Sequence, residues 1–127
     1  MAKETLVGLD VELGEKVLRT LDAAGYQVTV ALWLLTEEYG EWRLVLASPL
    51  YDKAGPKEAY LQLHAALSSN GPELLHQVPI SLKGNRSALV RGLRSIFGKA
   101  TSVTGIRLGG HVIGDVWIDD AYVYRIH

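Results

Sequence analysis

Three carboxylates in the last part of the chain have the types and spacing that metal chemistry requires. Asp115, Asp119 and Asp120 lie within six residues of one another, and clustered carboxylates hold Mg²⁺ in nucleases and phosphoester hydrolases. Asp115 stands beside the apolar positions Ile113 and Trp117 of an expected strand, which is an unusual place for a charge. Asp119 and Asp120 also suit a turn, where Asp side chains bond to nearby backbone groups. A catalytic and a structural interpretation therefore both stay open.

Other catalytic or cofactor-binding signatures are absent from the sequence. The histidines, at positions 64, 76, 111 and 127, have neither the i,i+4 nor the His-x-His spacing of a zinc site. There is no Gly-x-Ser-x-Gly motif, no P-loop and no Gly-x-Gly-x-x-Gly fingerprint. Without cysteine, the chain has no disulfide, thiolate ligand or cysteine nucleophile. The main prediction is therefore a protein without cofactor or bound metal.

A carboxylate-free stretch is the most informative charge pattern. Residues 74–114 contain no Asp or Glu, whereas residues 1–73 contain eleven carboxylates and six Lys or Arg. On a helical wheel, Arg91 and Arg94 share one flank of an apolar stripe, a geometry that suits phosphate or carboxylate contacts. The candidate anion-binding or nucleic-acid-binding residues are Lys83, Arg86, Arg91, Arg94, Lys99 and Arg107. The alternative is that the acidic first half of the chain compensates these cations.

Aromatic residues on expected strands form the second candidate site. Aromatic side chains are enriched at protein interfaces, and the candidate interface residues are Trp33, Trp117, Tyr122 and Tyr124. Three helices would cover one face of a six-stranded sheet and leave the other face open. An open apolar face of that size favours a two-fold homodimer, with a second protein as another candidate partner.

Apolar periodicity predicts the elements that would position these residues. Helical spacing predicts helices near 10–24, 56–69 and 86–97, and alternation predicts strands at 26–36, 41–48, 77–82, 103–108, 111–118 and 121–126. The order α-β-β-α-β-α-β-β-β is typical of an α+β fold with a mostly antiparallel sheet. Strand 26–36 is expected inside the sheet because both its faces are apolar. Strand 77–82 is expected at an edge because Pro79 lacks an N–H.

The composition limits the fold and the classes of function that the chain is expected to have. With 127 residues, 48% of them apolar and 21% charged, the chain is expected to form a single domain over 1–127. It has no apolar run of membrane-spanning length and no visible secretory signal, so a cytoplasmic location without membrane attachment is expected. We predict a non-catalytic interaction or regulatory module that binds a macromolecular partner, or itself, through a sheet face and a basic flank. The alternative is a small metal-dependent nuclease or phosphoester hydrolase that uses Asp115 and the neighbouring acids.

Overall fold

The computed structural model describes residues 5–98 and 103–127, which form five helices and seven strands. The helices are α1 (Gly8–Ala23), α2 (Pro49–Ala54), α3 (Pro56–Asn70), α4 (Leu74–Gln77) and α5 (Ala88–Phe97). The strands are β1 (Val30–Leu35), β2 (Trp42–Ala47), β3 (Ile80–Lys83), β4 (Arg107–Leu108), β5 (His111–Ile113), β6 (Val116–Ile118) and β7 (Asp120–Ile126). The α+β composition is confirmed. The short helices α2 and α4 were not predicted, and Lys99 lies outside the described residues.

Local chemistry sets the ends of the long helices. In α1 the Asp10 carboxylate accepts a hydrogen bond of 2.9 Å from the Val7 N–H, one of the amides that a helix start leaves unpaired. Gly25, in the left-handed region at φ 77°, follows the last turn. The cap of α5 is Ser87, whose Oγ accepts from the Val90 N–H at 3.4 Å.

The main sheet has five strands in the order β3-β2-β1-β7-β4. The inner position of β1 is confirmed, since it pairs antiparallel with both β2 and β7. The edge position of β3 is also confirmed. On its outer side the Leu82 N–H donates to the Tyr60 hydroxyl at 2.8 Å, which covers part of the open edge. However, β3 runs parallel to β2, because α2, α3 and α4 carry the chain back before β3 begins. The sheet is therefore mixed.

Both faces of the main sheet are covered, so the prediction that one face is open is wrong. Helices α1 and α3 pack on the face that carries Trp33 and Tyr124. Helix α5 and the β5–β6 hairpin pack on the face that carries Val45 and Val123. Because β1 is apolar on both sides, each side needed its own cover, and the helices divide between the two.

The prediction of a single strand over 111–118 is also wrong. β4 pairs directly with β7, with Arg107 opposite Tyr122. The expected strand 111–118 is split by a turn into β5 and β6, which form a separate two-stranded sheet. The reason is Gly114-Asp115, where both residues have positive φ, 56° and 68°, as a type I′ hairpin turn requires. Asp115 therefore lies in a turn and does not project from a strand.

Candidate interaction surface

The β5–β6 hairpin has one buried and one exposed face. Its register places His111 opposite Ile118, Val112 opposite Trp117, and Ile113 opposite Val116. Ile113 and Ile118 are buried in the core on the α5 side of the sheet. Because side chains alternate along a strand, Val112 and Trp117 point the other way.

The turn of the hairpin packs closely against the backbone of α5. An added Cβ at Gly114 would lie 1.9 Å from the Ala88 carbonyl oxygen, and one at Gly92 would lie 2.8 Å from the Gly114 nitrogen. Neither position has room for a side chain. The hairpin is therefore held by α5 at its turn and by the core along its inner face.

The outer face of the hairpin is an exposed apolar pair. Val112 is 65% exposed and Trp117 is 51% exposed, although the residues on either side of each in the hairpin are more buried or polar. The Trp117 Nε1–H donates to Asp119 Oδ1 at 2.9 Å, which restrains the indole ring. We call this face the hairpin surface.

The other predicted interface residues do not belong to this surface. Trp33 and Tyr124 are buried, with 3% and 8% exposed. The Trp33 Nε1–H donates to the Asp10 carbonyl and to the Tyr124 hydroxyl, at 3.1 and 3.0 Å. Tyr122 is half-buried on the same sheet face and meets Tyr124 edge-to-face at 5.3 Å. Of the four aromatic residues, Trp117 is the one with an exposed side chain.

The structure does not gather the predicted cations into one patch. Arg107 forms an ion pair with Asp120 and shares a sheet face with Tyr122, opposite to the face that α5 covers. The Arg94 Nε–H donates to the His127 carbonyl oxygen at 2.6 Å. Part of the basic stretch is thus compensated within the chain.

The remaining cations lie at or near α5. Lys83 is half-buried and lines a small cavity together with Glu38 and Val116. Arg86 and Arg91 are exposed, and neither forms an ion pair with another described residue. Arg86 and Arg91 are therefore the predicted anion-binding residues whose charges are not paired with another described residue.

The three carboxylates of the alternative hydrolase do not converge. Asp119 accepts from Trp117, Asp120 pairs with Arg107, and Asp115 is exposed in the hairpin turn. Within residues 5–98 and 103–127, no group of three His, Asp or Glu side chains is arranged to hold a metal ion. In the same ranges, no helix has the length and apolar character needed to cross a membrane.

Two of the larger cavities lie on the opposite face of the molecule, one between α2, α3 and the residues that follow α1, and one beside α1. The first, of about 260 Å³, is lined by Tyr26, Ser48 and Lys53 among others. Its buried polar groups serve the fold: the Tyr26 hydroxyl donates to the Ala59 carbonyl at 3.0 Å, and Ser48 Oγ accepts from the Leu50 N–H. Burial raises the pKa of Tyr26, so this phenol is not activated as a base.

The second cavity, of about 270 Å³, lies between α1 and β7. The Arg125 guanidinium binds both Asp22 carboxylate oxygens, at 3.0 and 2.7 Å. This contact lowers the pKa of Asp22 and raises that of Arg125. Burial raises the pKa of Tyr124 well above that of a free phenol. The charged groups are paired with each other, so they are not available to a ligand.

Comparison with protein-family models, with curated proteins and with solved structures finds no match to this chain.

Sequence reasoning named Trp117 but missed Val112 and the hairpin that joins them. A signal was present, since Gly114-Asp115 is one of the two-residue sequences that indicate a β-hairpin turn. It lies between the apolar residues Ile113 and Val116, inside a run that otherwise alternates like one strand.

Proposed function

We propose that this protein is a non-catalytic interaction module that binds a partner protein through the hairpin surface. The observation that carries the proposal is the cross-strand pair of Val112 and Trp117, which are 65% and 51% exposed on a hairpin whose other face is anchored by the buried residues Ile113 and Ile118. Exposed apolar side chains are ordinary when single, whereas here two of them stand directly opposite each other on a rigid support.

The support lowers the cost of binding. The hairpin turn is packed against Ala88, the inner face is anchored by Ile113 and Ile118, and the Trp117 indole is restrained by Asp119. A side chain that is already held in position loses less conformational entropy when a partner covers it. Tryptophan is also among the residue types that contribute most to binding at interfaces.

The gain from covering Trp117 is large enough to matter. A tryptophan side chain can bury up to about 250 Å², so its exposed half corresponds to about 125 Å². At about 25 cal/mol per Å², covering that area contributes about 3 kcal/mol. This is about a 100-fold effect on a dissociation constant.

The charges favour a protein over a nucleic acid. The exposed carboxylates Asp115 and Asp119 lie at the two ends of β6, close to Trp117, where they would repel a phosphate backbone. Single-stranded nucleic acid is bound by several aromatic side chains within a basic groove, and this surface has one aromatic residue, with exposed carboxylates on both sides of β6. Catalysis has less support, because the titratable groups named above do not converge.

Selection of short displayed peptides on the full chain tests the proposal. We expect selected peptides to shift the backbone amide NMR signals of residues 111–118 and to lose about 100-fold in affinity when Trp117→Ser is introduced. The matched control is Leu61→Ser, because Leu61 is 55% exposed on α3, on the other side of the sheet. Peptides that bind equally well to the Trp117→Ser variant, or a selection that yields no binder at residues 111–118, would contradict the proposal. Binding of a DNA or RNA duplex that weakens steeply with salt and is lost in Arg91→Glu would favour nucleic acid as the partner.

A further inference from the structure

We infer that the partner of the hairpin surface is a protein segment that carries an arginine, whose guanidinium lies on the Trp117 ring and pairs with the Asp119 carboxylate. This inference rests on the proposed function and names the chemistry that the partner presents to the same site.

The chain itself contains two sites in which an arginine contacts both an aromatic ring and a carboxylate. In the first, the centre of the Arg43 guanidinium lies 4.8 Å from the centre of the Tyr39 ring. The Nε of the same guanidinium lies 3.5 Å from Glu41 Oε1. A guanidinium is planar and always charged, so it can stack on a ring and pair with a carboxylate at the same time.

The second site has a tryptophan in place of the tyrosine. The centre of the Arg107 guanidinium lies 5.9 Å from the centre of the Trp42 ring, and the same guanidinium forms an ion pair with Asp120. In both sites the aromatic ring and the carboxylate contact one guanidinium together.

Trp117 and Asp119 form an aromatic and carboxylate pair of the same kind on the hairpin surface. The Trp117 Nε1–H donates to Asp119 Oδ1 at 2.9 Å, and both side chains are exposed. Within residues 5–98 and 103–127, no Arg or Lys forms a cation–π contact with Trp117 or an ion pair with Asp119. Asp119 Oδ2 makes no hydrogen bond with another described residue. The ring and this oxygen are therefore both available to a guanidinium from a partner.

The local charges favour a cation at this position. From Gly109 to Asp119 the charged residues are Asp115 and Asp119. Asp115 is exposed and lies two residues before Trp117, so their Cα atoms are at most about 7 Å apart. The hydrogen bond to a carboxylate also polarises the indole toward negative charge on its faces, which strengthens its attraction for a cation.

Val112 determines what else the segment carries. It stands opposite Trp117 in the hairpin register and is 65% exposed. The Cβ atoms of such a cross-strand pair lie about 4.5–5.5 Å apart, so a side chain next to the arginine reaches Val112. An apolar residue in that place buries the Val112 side chain, while the arginine covers Trp117. The partner segment therefore combines an arginine with a neighbouring apolar residue.

Calorimetric titration with selected peptides tests the inference. Peptides are selected on the unmodified chain and counter-selected on Trp117→Ser, and we expect an arginine beside an apolar residue to be enriched in them. Citrulline keeps the shape of arginine and removes its charge, so its introduction should weaken binding about three- to thirtyfold. Lysine in the same place should restore only part of the affinity, because an ammonium does not offer the planar fork of a guanidinium.

Two variants separate the contacts of the ring and of the carboxylate. Asp119→Asn keeps an acceptor for the Trp117 Nε1–H and removes the charge, so it should weaken binding of the arginine peptide about two- to fivefold and leave binding of the citrulline peptide unchanged. Trp117→Leu keeps an apolar side chain and removes the ring, so citrulline should weaken binding to this variant by at most about fivefold. Glu12→Gln is the matched control, because Glu12 is exposed on α1, which packs on the other face of the sheet. It is expected to bind the arginine peptide as the unmodified chain does.

Far-UV circular dichroism shows whether each variant is folded, and the comparison rests on Asp119→Asn if Trp117→Leu is not. Selected peptides that bind at residues 111–118 without a basic residue overturn the inference, as does equal affinity of the arginine and citrulline peptides. In both cases the proposed function is still supported, so the two failures are distinguishable. Dimers of the unmodified chain that sedimentation velocity detects and that Trp117→Ser abolishes would identify a second copy as the partner and would also overturn the inference. A selection that yields no peptide binding at residues 111–118 contradicts both.

Discussion

Replacement of Gly114 by alanine tests whether the hairpin is seated on α5 as tightly as the structure shows. Alanine in the left-handed region costs roughly 1–2 kcal/mol. At Gly114 the new methyl group would also lie 1.9 Å from the Ala88 carbonyl oxygen, so the turn has to move away from α5. Ile113 and Ile118, which are 3% and 0% exposed, would lose part of their burial. Full burial of such side chains contributes about 1.5–3 kcal/mol each, so we expect Gly114→Ala to reduce the free energy of unfolding by about 4 kcal/mol or more.

Gly110→Ala is the matched control for this experiment. Gly110 also has positive φ, 66°, but a Cβ there would meet no atom within 4 Å. Gly110→Ala should therefore reduce the free energy of unfolding only by the cost of placing alanine in the left-handed region, roughly 1–2 kcal/mol. Urea unfolding measures both free energies, and thermal unfolding should show a fall in Tm of about 10 °C or more for Gly114→Ala. Equal losses in the two variants would refute the reasoning, because they would show that the turn is not packed against Ala88.

Three further predictions concern the opposite face of the molecule. Arg125 lowers the pKa of Asp22 below 3.8. The ion pair therefore stabilises the fold above that pH, and its contribution is lost as the pH falls further. The free energy of unfolding in urea should therefore change less between about pH 5 and pH 2 for Asp22→Asn than for the unmodified chain. Trp33→Phe removes the donor of two buried hydrogen bonds and leaves their acceptors unpaired. It should reduce the free energy of unfolding in urea by about 1–3 kcal/mol. An unchanged free energy of unfolding would show that these bonds do not stabilise the fold. Since burial raises the pKa values of Tyr26 and Tyr124 above the ordinary value of 10.0, absorbance titration at alkaline pH should show ionisation steps above that value, and Tyr26→Phe or Tyr124→Phe should each remove one of them.

Much of the secondary structure could be read from the sequence because it depends on neighbours along the chain. The spacing of Val17, Leu18 and Leu21 predicted α1, and these residues are buried. Alternating apolar residues predicted β1 and its inner position, and Pro79 predicted that the following strand lies at an edge. Local patterns did not predict α2 and α4, which have six and four residues and are too short to show a full apolar stripe.

The packing of segments that are distant in the sequence could not be predicted in the same way. Apolar residues on both sides of β1 required a cover on each face, but they did not say which helix supplies it. The cations of residues 74–114 are close in sequence, yet Arg107 and Arg91 end on opposite faces of the sheet, because β4 joins the sheet edge while α5 crosses one face.

The candidate site shows the same difference between local and long-range information. The sequence by itself determined that Trp33 and Trp117 both lie on strands, since alternation and β-propensity are local properties. Only the tertiary structure decided that Trp33 is 3% exposed and Trp117 is 51% exposed. The physical reason is that burial depends on what packs against a strand face. Helix α1 covers Trp33. In the hairpin, the neighbouring residues Ile113 and Ile118 point into the core on the α5 side of the sheet, which leaves Val112 and Trp117 on the opposite side in solvent.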